Sequence, residues 1–215
     1  YMIFAMAHDT GEGVIPREKL YGLGRCPHCS IASPNMNLVW HDIWQQRNQK
    51  RRAAFRCNTC ASITICNLIL TGIHLEADAI WPEAKIAHED IPAPARNFLQ
   101  QAYETLHAPD AAAMVAGSSV DAMLKHLGYS SGSLYSRIDQ SLEDNLLTKG
   151  MADWAHTVRL ESNRPRHADA ERPNVTPEEA RQSVDFAEAL GNFLFVLTAR
   201  IERGIKAARE AENDA

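Results

Sequence analysis

The sequence contains no apolar run long enough to cross a membrane as a helix. Such a span needs roughly 20 apolar residues. The longest stretch, Ile63 to Leu70, is far shorter and is interrupted by Thr64 and Asn67, so no membrane partner is expected. A basic excess is also lacking. The 22 lysines and arginines face 27 aspartates and glutamates, a formal charge of −5, which excludes a surface that holds nucleic acid all over and leaves only a local basic patch for that purpose. No export is expected either, because the apolar opening Met2 to Ala7 has no basic flank and is too short for a secretory core. Cysteine is scarce, with five in 215 residues, yet four of the five stand in two close pairs. Without export, that usage predicts a cytoplasmic protein whose reduced thiols hold metal rather than form disulfides. No internal repeat or low-complexity tract occurs, which excludes a repeat solenoid.

What is present is an ordinary globular composition, 45% apolar and 23% charged, sufficient for one large domain or two modest ones. Pro82, Pro92 and Pro94 each bias the preceding residue away from helical geometry, so residues 82–95 read as a linker. Upstream, residues 38–40 and 62–70 are rich in β-branched and aromatic side chains between turn formers and read as short strands. Downstream the period becomes helical. Ala113, Ala116, Val120, Met123, Leu124 and Leu127 form one stripe that ends at Gly128, a C-cap residue. Leu134, Ile138, Leu142 and Leu146 suggest a second helix, and Met151, Trp154, Ala155 and Val158 a third. Thr176, Pro177 and Glu179 spell a capping box. It opens a long last helix whose stripe runs from Ala180 through Leu190, Leu197 and Ile201 to Ile205. The expected fold is therefore α+β, a small N-terminal β zinc ribbon over residues 1–90 and an all-helical bundle with a long C-terminal helix over residues 91–215.

The strongest chemical signal is Cys26-Pro-His-Cys29 followed by Cys57-Asn-Thr-Cys60. Two residues between the cysteines of a pair let each pair form a tight knuckle, so that four thiolates converge on one tetrahedral zinc ion. A site of four thiolates has no open position for water, so this zinc is expected to be structural. A module so small buries too little apolar surface to fold easily without it. His28 and His41 lie near enough to replace a cysteine, but four thiols already saturate the ion. Cys66, inside an apolar segment, reads as a packed residue.

Two further segments carry open alternatives. Arg47, Lys50, Arg51, Arg52 and Arg56 form a basic run between the knuckles, near Trp40, Trp44 and Phe55. Basic residues among aromatics suit nucleic-acid binding; a solvated hairpin tip is the other reading. Between the third and last helices, Arg159, Asn163, Arg164, Arg166 and His167 concentrate cationic groups beside an acid–base candidate. Such a set suits cleavage of an RNA backbone by 2′-hydroxyl attack. Alternatively, Asn163 and His167 tie the loop to backbone carbonyls while Arg159 pairs with Glu161 or Asp153.

From about Ile91 to Arg203 the chain resembles the family known as domain of unknown function 4145. The likeness rests on the alanine-rich segment Ala112 to Leu127 closing on Gly128, and on Arg159, Asn163 and His167 ahead of residues 176–180. The resemblance implies an N-terminal zinc ribbon of the kind that members often carry, and an association with restriction or other anti-phage systems. The helical part is also similar to the HEPN group of bundles, whose ribonuclease members dimerise and use an arginine followed four to six residues later by a histidine. This sequence departs from that pattern. Seven residues separate Arg159 from His167, two separate Arg164 from it, and Pro165 breaks the helix that would carry the motif. The functional expectation is a non-enzymatic accessory protein of prokaryotic defence that binds nucleic acid or a partner protein, and dimerises through its last helix. The alternative is a metal-independent endoribonuclease using His167 with Arg159, Arg164 or Arg166.

Overall fold

A computed structural model describes residues 20, 23–42, 50–71, 74–163 and 174–213. The chain divides into two compact units, residues 1–84 and 85–215. The first is a four-stranded antiparallel meander in the order β1 (Met36–His41), β2 (Lys50–Cys57), β3 (Ile63–Thr71) and β4 (His74–Trp81). Alternation explains its layering, since successive side chains of a strand point to opposite faces. On β2, Ala53, Phe55 and Cys57 are buried while Arg52 and Arg56 are exposed. On β3, Thr64, Cys66 and Leu68 are buried while Ile63 and Ile65 are exposed. One face thus forms a small core with Leu20, Met36, Phe55 and Leu68, and the other faces solvent. Bulges lie between Leu38 and Trp40 on β1 and between Asn67 and Leu68 on the β3–β4 pair.

The second unit is helical, with α1 (Ala93–Glu104), α2 (Pro109–His126), α3 (Leu134–Glu143), α4 (Lys149–Asn163), α5 (Pro177–Gly191) and α6 (Leu197–Asn213). A π-helical turn, Asn192–Val196, joins α5 to α6 without a break. The stripe read from the sequence of α2 is its buried face, with Ala113, Ala116, Val120, Met123 and Leu124 in the core. Gly128, at φ +100°, closes α2. Its N–H donates to the Lys125 carbonyl and that of Tyr129 to the Leu124 carbonyl, the paired bonds of a Schellman motif. The capping box is formed as expected. The Thr176 hydroxyl accepts from the Glu179 N–H and the Glu179 carboxylate accepts from the Thr176 N–H.

Two expectations are corrected. The stretch 82–95 is not wholly linker, because α1 begins at Ala93 with Pro94 in its first turn, where a missing N–H removes no intrahelical bond. Residues 50–57 are not a hairpin tip but the full length of β2, a central strand. The alternating burial of Ala53, Phe55 and Cys57 holds it there despite its flanking charges. The last helix outruns the bundle: its apolar stripe is buried as far as Val196, whereas Leu197, Ile201 and Ile205 are exposed.

Candidate metal centre

Both cysteine pairs sit on knuckles of the same construction. In the first, the Cys26 N–H donates to the Ile31 carbonyl (3.1 Å) and the Ser30 N–H to the Cys26 carbonyl (2.9 Å). In the second, the Cys57 N–H donates to the Ser62 carbonyl (3.0 Å) and the Ala61 N–H to the Cys57 carbonyl (2.8 Å). Each knuckle closes on a residue at positive φ four places after its first cysteine, Ser30 at +60° and Ala61 at +58°. The second knuckle is the β2–β3 turn, so the sheet itself fixes Cys57 and Cys60. A bridge between Arg25 and Ala32 closes the first.

The four Sγ atoms lie within 4.8 Å of one another. Cys26 Sγ and Cys60 Sγ are 3.9 Å apart, close to the edge of about 3.8 Å that a tetrahedron with metal–sulfur bonds of about 2.3 Å requires. The separation is almost twice a disulfide bond of about 2.05 Å, and all five cysteines are free thiols. The donor set therefore fits a metal ion bound by four thiolates. Main-chain N–H groups prepare it. Burial raises the Cys26 thiol, and the amides of Cys29 and His28 oppose that rise only in part. Burial likewise pushes Cys29 up, against the Ile31 amide. At Cys57 burial also acts upward, but the amides of Cys60 and Thr59 together with the thiols of Cys26 and Cys60 outweigh it and bring the group down to about 7. A cation bound here must therefore draw the protons off the raised Cys26 and Cys29 thiols.

The histidines weighed as substitutes are engaged elsewhere. His28 Nε2 lies 2.9 Å from the Ile63 carbonyl, tying the first knuckle to β3, and His41 Nδ1 lies 2.9 Å from the Asp42 carbonyl. Cys66 is fully buried in the sheet core, and burial pushes its thiol up to about 12.

Of the basic run, Arg52 and Arg56 are exposed on one face of β2. Lys50 and Arg51 belong to the same strand, and Arg47 lies outside the described residues. Of the arginine and histidine segment, Arg159 and Asn163 end α4, whereas Arg164, Arg166 and His167 lie outside the described residues. Arg159 does not pair with Asp153, which Lys149 takes at 2.8 Å. Its guanidinium stacks over Tyr135 of α3 at 5.2 Å, and its Nε is buried without a hydrogen bond. One turn earlier, His156 Nε2 faces Asp139 Oδ1 at 3.0 Å, while its Nδ1 is buried and unpartnered. The Tyr135, Asp139, His156 and Arg159 group was invisible to motif reading because it joins two helices. The only sequence hint is spacing, with Tyr135 four residues before Asp139 and His156 three before Arg159.

Among the described residues no helix is long and apolar enough to cross a membrane. No curated protein and no solved structure matches the chain. A family model, described as "Domain of unknown function (DUF4145)", matches residues 100–209, which is just over half of the chain and spans most of the helical unit. The chain, whose thiol centre lies in the other unit, belongs to that family.

Proposed function

We propose that this chain is a non-enzymatic accessory protein whose sheet, held by one structural zinc ion, binds nucleic acid. Zinc is the ion that best suits four thiolates in a tetrahedron, iron being the other candidate. The residues to hold it are Cys26, Cys29, Cys57 and Cys60. Bound there, it cross-links two loops and supplies no open coordination site, so its contribution is to the fold.

The observation that carries the binding reading is the placement of Arg52 and Arg56. Both are exposed on one face of a central strand. The family resemblance supports a place beside a restriction or other anti-phage system in the cytoplasm. The exposed stripe Leu197, Ile201 and Ile205 on α6 supports a homodimer. The test is an electrophoretic mobility shift with mixed RNA and DNA fragments. Replacing Arg52 and Arg56 together by alanine should weaken retardation and flatten its salt dependence; unchanged retardation removes the proposal.

A second reading, a metal-independent endoribonuclease, is favoured by the pairing of His156 with Asp139 one turn from Arg159. His167 would serve as the alternative acid or base. Incubation with mixed RNA separates the two readings. Cleavage lost in both His156→Ala and Arg159→Ala supports the enzyme, and RNA left intact by the unaltered chain removes it.

A further inference from the structure

We infer that the solvent face of the sheet is a stacking platform for single-stranded nucleic acid, with Trp40 and Trp81 receiving bases and Arg52 and Arg56 receiving phosphates. This rests on the binding reading above and adds the strandedness of the ligand and the means of recognition.

The strand registers place the platform. Trp40 of β1 opposes Ala54 of β2, Ala54 opposes Ile65 of β3, and Ile65 opposes Trp81 of β4. Residues directly opposite one another in antiparallel strands share a face, so these four form one row across the whole sheet. The row is open to solvent: Trp40 is 53% exposed, Ile65 46% and Trp81 44%. The opposite face carries the buried core of Met36, Phe55, Cys66 and Leu68, so the indoles are not needed to hold the sheet together. Two tryptophans and an isoleucine aligned in water form a contiguous apolar strip, the kind of surface that marks a binding site.

Charge complementarity identifies the occupant. Arg52 opposes Asn67 and Arg56 opposes Ile63, so the arginines stand in the rows on either side of the apolar one. Each neighbouring row lies two residues along the strand, about 7 Å away, within an arginine's reach. The two indoles are three strand spacings apart, about 14 Å, a distance that an extended strand of a few nucleotides covers. Flat apolar surfaces flanked by guanidinium groups match bases joined by phosphates, because every base has a face to stack and stacking tolerates any sequence. A duplex hides those faces inside its own stack. An acidic peptide would satisfy the arginines and leave the indoles without a partner.

The full-length chain, loaded with zinc, is titrated into fluorescein-labelled twelve-nucleotide thymidine and uridine oligomers and into a twelve-base-pair duplex. Anisotropy and tryptophan fluorescence are recorded together. The expected result is tighter binding of the single strands than of the duplex, with quenching of tryptophan emission. Trp40→Ala and Trp81→Ala should each weaken single-strand binding roughly five- to hundredfold, the range that loss of one stacked base produces. Trp40→Leu and Trp81→Leu, which keep an apolar side chain, should lose binding to a similar degree while retaining four metal-protected thiols. The DNA and RNA arms tell which strand is preferred. Binding that survives all four tryptophan variants but falls with Arg52→Ala and Arg56→Ala overturns the platform and leaves the nucleic-acid reading intact. Equal affinity for the duplex also overturns the platform. Failure to bind any of the three probes overturns both.

Discussion

Stripping the ion from the thiol centre should unfold the sheet and leave the helices in place. Among the described residues, the core of the β unit contains four large buried side chains, Leu20, Met36, Phe55 and Leu68. At about 1.5–3 kcal/mol for each, their burial contributes roughly 6–12 kcal/mol. A structural zinc ion contributes roughly 10–16 kcal/mol of apparent binding energy at neutral pH, as much as the apolar core itself. Losing about 10 kcal/mol shifts a folding equilibrium by roughly seven orders of magnitude, comparable to the whole stability of a typical domain. The helical unit has its own core and carries none of the four thiols. Hydrogen exchange read by mass spectrometry, before and after an excess of a high-affinity chelator, checks this. Amides of β1 to β4 should lose their protection, whereas those of α2 and α5 should keep it. The affinity should also depend on pH in a definite direction. The thiols of Cys26 and Cys29 are raised in the metal-free fold and are protonated at neutral pH, whereas the bound form holds thiolates. Binding therefore releases protons and strengthens as pH rises, and metal is lost as pH falls. Protection of β2 that persists once the ion is shown to be gone would refute the reasoning, as would an affinity that ignores pH.

Other outcomes follow from the packing. A Cβ at Gly117 would stand 2.5 Å from Ser162 Cβ, so Gly117→Ala should destabilise the α2–α4 contact by about 1–3 kcal/mol. Gly204 of α6 has nothing within 4 Å, and Gly204→Ala should stabilise that helix by about 0.5–1 kcal/mol. Thermal denaturation of the two variants should move in opposite directions. Thr176→Ala removes the hydroxyl of the capping box and should cost about 1 kcal/mol, seen as a lower urea midpoint with an unchanged slope. Cys66, buried with its thiol pushed up to about 12, should resist iodoacetamide at pH 8 in the metal-loaded protein and react after chelation, as peptide mass spectrometry would report.

Several features could be read directly from the chain because their cause is local. The knuckles follow from two residues between paired cysteines, and the start of α5 from Thr176, Pro177 and Glu179. The end of α2 follows from Gly128, the residue best able to occupy φ +100° without penalty. The helices α2, α3 and α4 carry their apolar residues at the helical period, and their existence needed no partner to reveal it. By contrast, α1 and β4 were missed. The residues of α1 mix alanines with polar side chains, and its prolines suggested a break; its buried face is Ala95, Leu99, Ala102 and Tyr103, recognisable only against α2. On β4, a bulge at Asp78, between the partners of Asn67 and Leu68, interrupts the pairing pattern that alternation relies on.

What the sequence alone determined was the set of parts: a thiol quartet, a change from strand to helical period, and the caps that start and stop helices. Each depends on residues within a few positions of one another, where bonding geometry and backbone sterics act directly. Only the tertiary structure decided that residues 50–57 of the basic segment are a central strand, that Trp40 and Trp81 align across four strands, and that Asp139 meets His156. Those relations depend on strand register and helix packing, which are set by the burial of the opposite faces and leave no trace in the spacing of the residues they bring together.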